Sequence, residues 1–434
     1  MNGRAVITRR RFIKETAGIA AGAIAFPHFV ASSALGKAGS VSASNRITLG
    51  FIGVGSHGIG MNLKTFLGNA DAQAVAVCDV DSNHHDKARD IVNQKYGNND
   101  CATYKDFRDV IARDDIDAVV ISTPDHWHAL MSVMAAKTGK DVLCEKPTLT
   151  VQEGRVLSDT IKRYGRIFQT ASGIRASSVY HRMCELVRNG RIGKVHTIRV
   201  VLPGGPHRPG ITTPMPMPKA LDYDMWLGPA PWTPYTKDRL HYHWRWVSDY
   251  SGGQLTDWGA HHISIAQWGN NTDLTCPVEV EGKGVFCEGG LYNTAREYKI
   301  KYKYANGVNL IISSGTPGVQ FEGDEGWIGD LGEPQGKLKA NPSSVLDSVI
   351  GPDEIHLYTC PAGEQRNFLD CVKSREPCFY PEEVGHRVFT ISHIGNISML
   401  LGRKLRWDPD KEQFVNDELA NRMLSRSMRS PWRL

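Results

Sequence analysis

Four short apolar runs, ITLGFIGV (47–54), AQAVAVCDVD (72–81), IDAVVISTP (116–124) and DVLCEKP (141–147), punctuate the first part of the chain. Between them lie stretches of helical spacing, such as IGMNLKTFL and DHWHALMSVMAAKTGK, the second opening on a cap-like Asp125. Apolar runs this short, bounded by turn residues, are the pattern of strands buried on both faces. Strand and helix alternating through short turns predict an α/β, doubly wound parallel sheet over residues 46–170, and such sheets bind ligands at the carboxyl ends of their strands.

Past residue 170 the period changes. PVEVEGKGVFCEGG (277–290) and REYKIKYKYANGVNLIISSG (296–315) alternate apolar and polar positions in the strand manner, with Ala-Asn-Gly marking a hairpin. ELVRNGRIGKVHTIRVVLP (185–203) reads as a helix end, a glycine turn and a strand. The stretch 364–409 reads as two helices joined by a proline turn, with His386 and His393 on a shared face. Residues 171–405 are therefore taken as a second domain and 406–434 as a C-terminal tail. Within the second domain, 204–235 is a long proline-rich loop carrying Trp226, Trp232 and Tyr235. With Trp244 beyond it, these aromatics either form a platform for a sugar ring or pack the loop down. The stretch from 324 to 356 is an insertion with no assigned place.

The chain has 434 residues, enough for two domains, and a net charge of +5 that is small for that size, which argues against a nucleic-acid partner. Several of the basic residues lie in the first 14 positions. TRRRFIK, with the pair Arg9 and Arg10, precedes a run rich in Ala and Gly and then small residues between Ala31 and Ala38. A charged start, a short apolar stretch and a small-residue exit describe a signal peptide rather than a spanning helix of about 20 apolar residues. The paired arginines resemble a twin-arginine signal, which implies export of a folded protein to the periplasm. The expected signal covers 1–36, followed by a linker over 37–45, and no membrane span remains after cleavage. Nine cysteines, irregularly spaced and without CxxC, are read as buried thiols at Cys78, Cys144 and Cys276 rather than as a disulfide frame.

Gly53, Gly55 and Gly58 form G-x-G-x-x-G directly after the first apolar run. Such a turn lets backbone approach a pyrophosphate at a helix N-terminus, with Ser56 and His57 beside it. Asp79 ends the second run, 21 residues past Gly58, where a carboxylate meets ribose hydroxyls and repels a 2′-phosphate. The cofactor is therefore read as NAD, ahead of NADP. Thr123, Pro124, His126, His128, Glu145 and Lys146 fall at the ends of later strands and join the cofactor-site candidates.

GVGSHG, Asp79, TPDHWH, the E-K-P of Glu145, Lys146 and Pro147, and the D-x-x-x-H of Asp257 and His261 together resemble the Gfo/Idh/MocA oxidoreductase family. The resemblance implies an N-terminal Rossmann domain followed by an α/β domain on a large open, mostly antiparallel sheet. It further implies a sugar or cyclitol lying between that sheet and the nicotinamide, and pairing of copies through the sheet face into a dimer or tetramer. The family's lysine falls on Lys146, and its D-x-x-x-H on Asp257 and His261. The chemistry suits those types: His261 is able to take a hydroxyl proton near neutral pH, and Lys146 to steady the charge that develops on the reacting oxygen. Which of the two is the base stays open. Asp257, four residues before His261 and on the same helical face, orients the substrate or supports the histidine; His262 faces elsewhere.

Arg175, His241 and Arg245 are taken as substrate contacts. His241 and His243, in strand-like spacing near Asp257, His261 and His262, raise the question of a metal, but no standard ligand frame follows them, and the reading takes none. Three functions compete: an exported NAD-dependent oxidoreductase acting on a sugar, cyclitol or glycoside with the cofactor held throughout; a glycosidase using a redox-neutral cycle of oxidation, elimination, hydration and reduction; and a non-catalytic sugar- or NAD-binding protein.

Overall fold

The computed structural model describes residues 41, 42 and 45–434, so the signal expected over 1–36 and most of the linker lie outside the described residues. Six parallel strands, β1 (Ile47–Ile52), β2 (Ala72–Cys78), β3 (Ala102–Tyr104), β4 (Ala118–Ile121), β5 (Asp141–Glu145) and β6 (Phe168–Ala171), stand in the order β3-β2-β1-β4-β5-β6. The chain thus winds outward twice from β1. β4 is buried along its whole length because helices cover both faces of the sheet. Leu49, Val120 and Leu143 pack with Leu63 and Phe66 on one side. Ile52, Val119 and Val142 pack with Trp127, Leu130 and Leu157 on the other. The helix Val151–Tyr164 is set by Thr150, whose hydroxyl accepts from the Glu153 amide, and is stopped by Gly165 at φ +58°.

The second lobe is built on nine strands: β7 (Val195–Leu202), β8 (Glu279–Val285), β9 (Glu297–Lys303), β10 (Asn309–Ser314), β11 (Gly318–Gly323), β12 (Trp327–Gly329), β13 (Lys339–Asn341), β14 (Leu405–Asp408) and β15 (Gln413–Phe414). Their order is β13-β12-β11-β7-β10-β9-β8-β14-β15, antiparallel except where β7 meets β10. The alternation in β9 is literal: Tyr298, Ile300 and Tyr302 face the core while Glu297, Lys299, Lys301 and Lys303 face solvent. The helices Ser178–Arg188, Gly259–Gly269 and Glu382–Leu401 cover the inner face. β9 and β10 form the expected hairpin, its turn closed by Gly307 at φ +89°. The unplaced insertion supplies β12 and, at the sheet's edge, β13.

Two expected boundaries are corrected. The helix Glu364–Ser374, from the segment assigned to the second domain, returns to the first and seals its core with Phe368 and Leu369. Residues 406–434 are not a free tail: β14 and β15 extend the large sheet, and Trp432 packs 4.8 Å from the ring of Trp127. The anchors Trp407, Phe414 and Trp432 are too widely spaced in a polar stretch to show as a period. No described helix is long and apolar enough to cross a membrane. All nine cysteines are free thiols, and eight of them are buried.

Candidate active site

A cavity of about 810 Å³ opens at the carboxyl ends of the parallel strands, within the on the order of 300–1,000 Å³ usual for ligand pockets. Its walls take the residues that immediately follow β1, β2, β4, β5 and β6: Gly53, Asp79, Ser122, Lys146 and Ser172.

One end has the form of a dinucleotide cradle. Gly53 sits at φ +83°, and a Cβ there would lie 2.7 Å from the Ser122 carbonyl; a Cβ on Gly58 would lie 2.2 Å from the Gly53 oxygen. Glycine is thus required at both positions for the turn itself. At Gly55 a Cβ would meet only the His84 ring, 3.7 Å away, so that position faces the cavity. Gly58 opens a π-helical turn, Gly58–Leu63, which continues as Lys64–Phe66. Asp79 Oδ2 accepts from the Val54 amide at 2.9 Å and Oδ1 from the Asp81 amide at 2.9 Å, which leaves lone pairs on both oxygens for ribose hydroxyls. These groups fit NAD. Ser56, His57, Thr123 and Pro124 also line the cavity. Glu145 is held by His57 Nε2 and by Asn62 Nδ2, each at 2.9 Å. Burial pushes the Glu145 carboxyl up, but His57 and Lys146 outweigh it and hold it below its usual range.

At the other end Lys146 Nζ donates to Asp257 Oδ1 at 2.5 Å and to the Asp257 carbonyl at 2.7 Å. Arg245 Nε donates to Asp257 Oδ2 at 3.2 Å. Burial raises the Asp257 carboxyl, yet Lys146 and Arg245 hold it well below the ordinary carboxylate range. The Arg245 guanidinium is stacked over Trp244 at 4.4 Å and Tyr242 at 4.8 Å, and all three line the cavity.

The helix expected to carry Asp257 and His261 is broken. Gln254–Asp257 ends at Trp258 and Gly259–Gly269 begins anew, with the amides of both His261 and His262 turned onto the Trp258 carbonyl. The Asp257 carbonyl is thereby freed from the helical ladder to receive Lys146. Both residues still face the cavity, but Asp257 is committed to the two cations and His261 to another partner. His261 Nδ1 lies 3.0 Å from the Ser172 carbonyl and 2.7 Å from its hydroxyl. A carbonyl only accepts, so Nδ1 carries the proton and Nε2 is left as a bare acceptor. Burial and the nearby Lys146 push His261 well below 6.5, so the ring is neutral.

Several expected contacts lie elsewhere. His126 is fully buried among Trp226 and Tyr250, with Nε2 at 3.0 Å from the Trp226 carbonyl; burial pushes it down to about 3, and it does not line the cavity. Its neighbours Asp125 and Trp127 take the cavity side of that turn. Asp125 does not cap the helix; its Oδ2 accepts from Ser251 Oγ at 2.7 Å. His128 reaches the wall, but its two nitrogens bridge the carbonyls of Pro147 and Thr123, tying the turn after β4 to the one after β5. Arg175 is not a substrate contact: it is buried against Asp273 at 2.6 Å and stacked on Trp268 and Tyr380. His241 and His243 lie on a 3-10 helix, His241–Trp246, not a strand, so they diverge. His241, at φ +52°, meets the His84 ring near Asp79 and does line the cavity, whereas His243 stacks on Tyr292 away from it. Among the described residues no cluster of three His, Cys, Asp or Glu is placed to hold a metal. Of the loop aromatics, Trp226 and Trp244 line the cavity and Trp232 is 66% exposed.

Sequence reasoning missed Ser172 and Glu364. Ser172 follows β6, whose run IFQTAS is short and half polar and so carries a weak strand signal, although its position at a strand end matches that of Gly53, Asp79 and Lys146. Glu364 comes from a distant helix and had no local signal.

Comparison with known proteins gives two matches along the chain. Residues 47–172 match the Gfo/Idh/MocA oxidoreductase family's NAD-binding Rossmann fold, and 210–434 match its C-terminal alpha/beta domain. A glycosyl hydrolase family 109 protein of Shewanella baltica is 32% identical over 208 residues, and an alpha-N-acetylgalactosaminidase of Shewanella oneidensis 29% over 208. Each match covers 44% of this chain and 44% of the relative, so the chain spans less than half the length of these curated relatives. The aldose-aldose oxidoreductase of Caulobacter crescentus, solved with glycerol, shares the fold at a TM-score of 0.62, with 17% identity over 83% of this chain and 99% of that one.

Proposed function

Because the chain belongs to the Gfo/Idh/MocA oxidoreductase family and has that family's NAD-binding domain, we propose that it oxidises a secondary alcohol of a sugar, cyclitol or glycoside. The observation that carries this reading is the convergence of Lys146, Asp257 and His261 on one wall of the cavity that also holds the dinucleotide cradle. NAD, when bound, supplies the hydride acceptor. His261 Nε2 takes the hydroxyl proton, and its depressed pKa keeps it neutral to do so. Lys146, with two donors already on Asp257, has a third for the reacting oxygen and stabilises the charge that develops there. Asp257 fixes both Lys146 and Arg245, and Trp244 offers an apolar face to a sugar ring.

The twin-arginine pattern supports export to the periplasm with NAD bound before export. Free NAD is not expected there, so turnover returns the hydride within the same site, to a second sugar or to the first. The second of these routes is the glycosidase reading, favoured by the Shewanella relatives: oxidation acidifies the neighbouring C–H, the glycosidic bond is lost by elimination, water adds, and the hydride returns. We also take the solvent face of the nine-stranded sheet as the surface on which copies pair.

Nitrophenyl glycosides and free sugars offered to the purified, cofactor-loaded protein test the proposal. Substrate-dependent reduction of the bound nicotinamide, abolished in Lys146→Ala and His261→Asn, supports it. Release of nitrophenol without net reduction selects the glycosidase cycle. Sugar binding with neither change sinks both and leaves a binding protein.

A further inference from the structure

Ser172 fixes the His261 ring, and Ser172 is itself fixed from behind. Glu364, at the start of the helix Glu364–Ser374, accepts on Oε2 from the Ser172 amide at 2.8 Å and from the Gly173 amide at 2.6 Å. Gly173 stands at φ +49°, a left-handed conformation that its lack of a side chain makes easy to hold. Glu364 Oε1 accepts from Gln365 Nε2 at 3.2 Å, and the same amide group reaches Asn62 Oδ1 at 3.1 Å. Asn62 in turn holds Glu145. The Glu364 side chain lines the cavity, yet it belongs to neither the E-K-P nor the D-x-x-x-H motif.

We propose that Glu364 is a positioning residue: by clamping the Ser172–Gly173 backbone it holds the Ser172 carbonyl on His261 Nδ1 and so keeps Nε2 as the proton acceptor. The inference rests on the reading of His261 as the base. No proton passes through Glu364; the substrate's hydroxyl proton goes to His261 Nε2, and the carboxylate acts only through the two amides.

The clamp depends on charge. Amide hydrogen bonds to a carboxylate are roughly twice as strong as those to a neutral acid. Burial first, and then the Glu145 carboxylate after β5, push Glu364 up to about 7, against the pull of the two amides and of His57 on the glycine turn. Cys360, on the segment leading into the same helix, also interacts with it, and its own thiol is pushed up to about 12, so it stays neutral. His261 lies on the far side of Ser172 and is neutral across this range. As pH falls through about 7, Glu364 is protonated, the clamp weakens and His261 is released. Activity therefore falls on the acid side with a midpoint set by Glu364, although the base itself titrates far lower.

The test is the pH profile of kcat for wild type, Glu364→Gln and His261→Asn, each first shown to be folded and NAD-loaded by its melting temperature and nucleotide content. Gln keeps one acceptor for the amides but has no ionisation. We expect Glu364→Gln to lose the limb near pH 7, with kcat lowered on the order of 10–100-fold above it and KM little changed. A Glu364→Gln profile that keeps the limb near 7, or a kcat equal to wild type at every pH, overturns the proposal. Loss of activity in His261→Asn together with either of those outcomes confines the failure to Glu364. An active His261→Asn enzyme overturns the reading of the base beneath it.

Discussion

At the scale of single residues, the site is a set of groups whose charges are settled before any substrate arrives. Asp257 is anionic because two cations surround it, and His261 is neutral because it is buried beside one of them. In the proposed mechanism, replacing His261 with Asn removes the proton acceptor and is expected to lower kcat about 10²–10⁴-fold with bound NAD retained. Lys146→Ala removes the donor proposed for the reacting oxygen and leaves the Asp257 carboxylate with Arg245 as its one cation partner, so its loss of kcat is expected to be at least as large, and nucleotide content after gel filtration checks that the cradle survives. Ser172→Ala provides a contrast: it deletes the hydroxyl but keeps the carbonyl on Nδ1, so steady-state assays are expected to show a loss far smaller than that of His261→Asn.

At the scale of elements, most of what positions these residues was legible. Continuous apolar runs mark β1, β2, β4 and β5, and period-2 alternation marks β9 and β10, because a strand buried on both faces or on one writes its burial into its own sequence. The strand ends then marked Gly53, Asp79 and Lys146. Spacing did not reveal the break at Trp258, since D-x-x-x-H fits a continuous helix equally well; only the capture of the Asp257 carbonyl by Lys146 accounts for its use. Nor did it reveal His241 on a 3-10 turn, where neighbouring packing outweighs the strand-like alternation. Two element-level predictions follow from contacts. Gly58→Ala drives a Cβ onto the Gly53 oxygen and is expected to yield protein without nucleotide, read by the ratio of nucleotide to protein absorbance. Phe368→Ala, at a fully buried ring that meets Phe66 at 6.3 Å, is expected to cost about 3–5 kcal/mol in urea melts, although it lies over 190 residues beyond the last strand of the sheet it covers.

At the scale of the whole molecule, the chain folds back on itself, and this is why length and pattern divided it in the wrong places. The helix Glu364–Ser374 and the last residues carry core and site groups into the first lobe, and contacts so distant in sequence leave no period to read. Several histidines are buried neutral: His126 is pushed down to about 3, and His262 and His393 to about 4. Each binds a proton more readily unfolded, near pH 6.5, than folded. The stability they confer is present above that value and is lost as pH falls, by on the order of 2 kcal/mol each at about pH 5. Urea midpoints are expected to drop between about pH 7 and pH 5; a flat profile would contradict the buried, neutral state of these rings. The central claim is that bound NAD and the Lys146–Asp257–His261 wall work on the same alcohol. Rapid mixing of NAD-loaded protein with a panel of sugars and glycosides, followed by nicotinamide absorbance, tests it most directly. The account predicts that at least one substrate reduces the bound nicotinamide in wild type, and that the signal is lost in Lys146→Ala and His261→Asn while NAD remains bound. Reduction in those variants at the wild-type rate would contradict it.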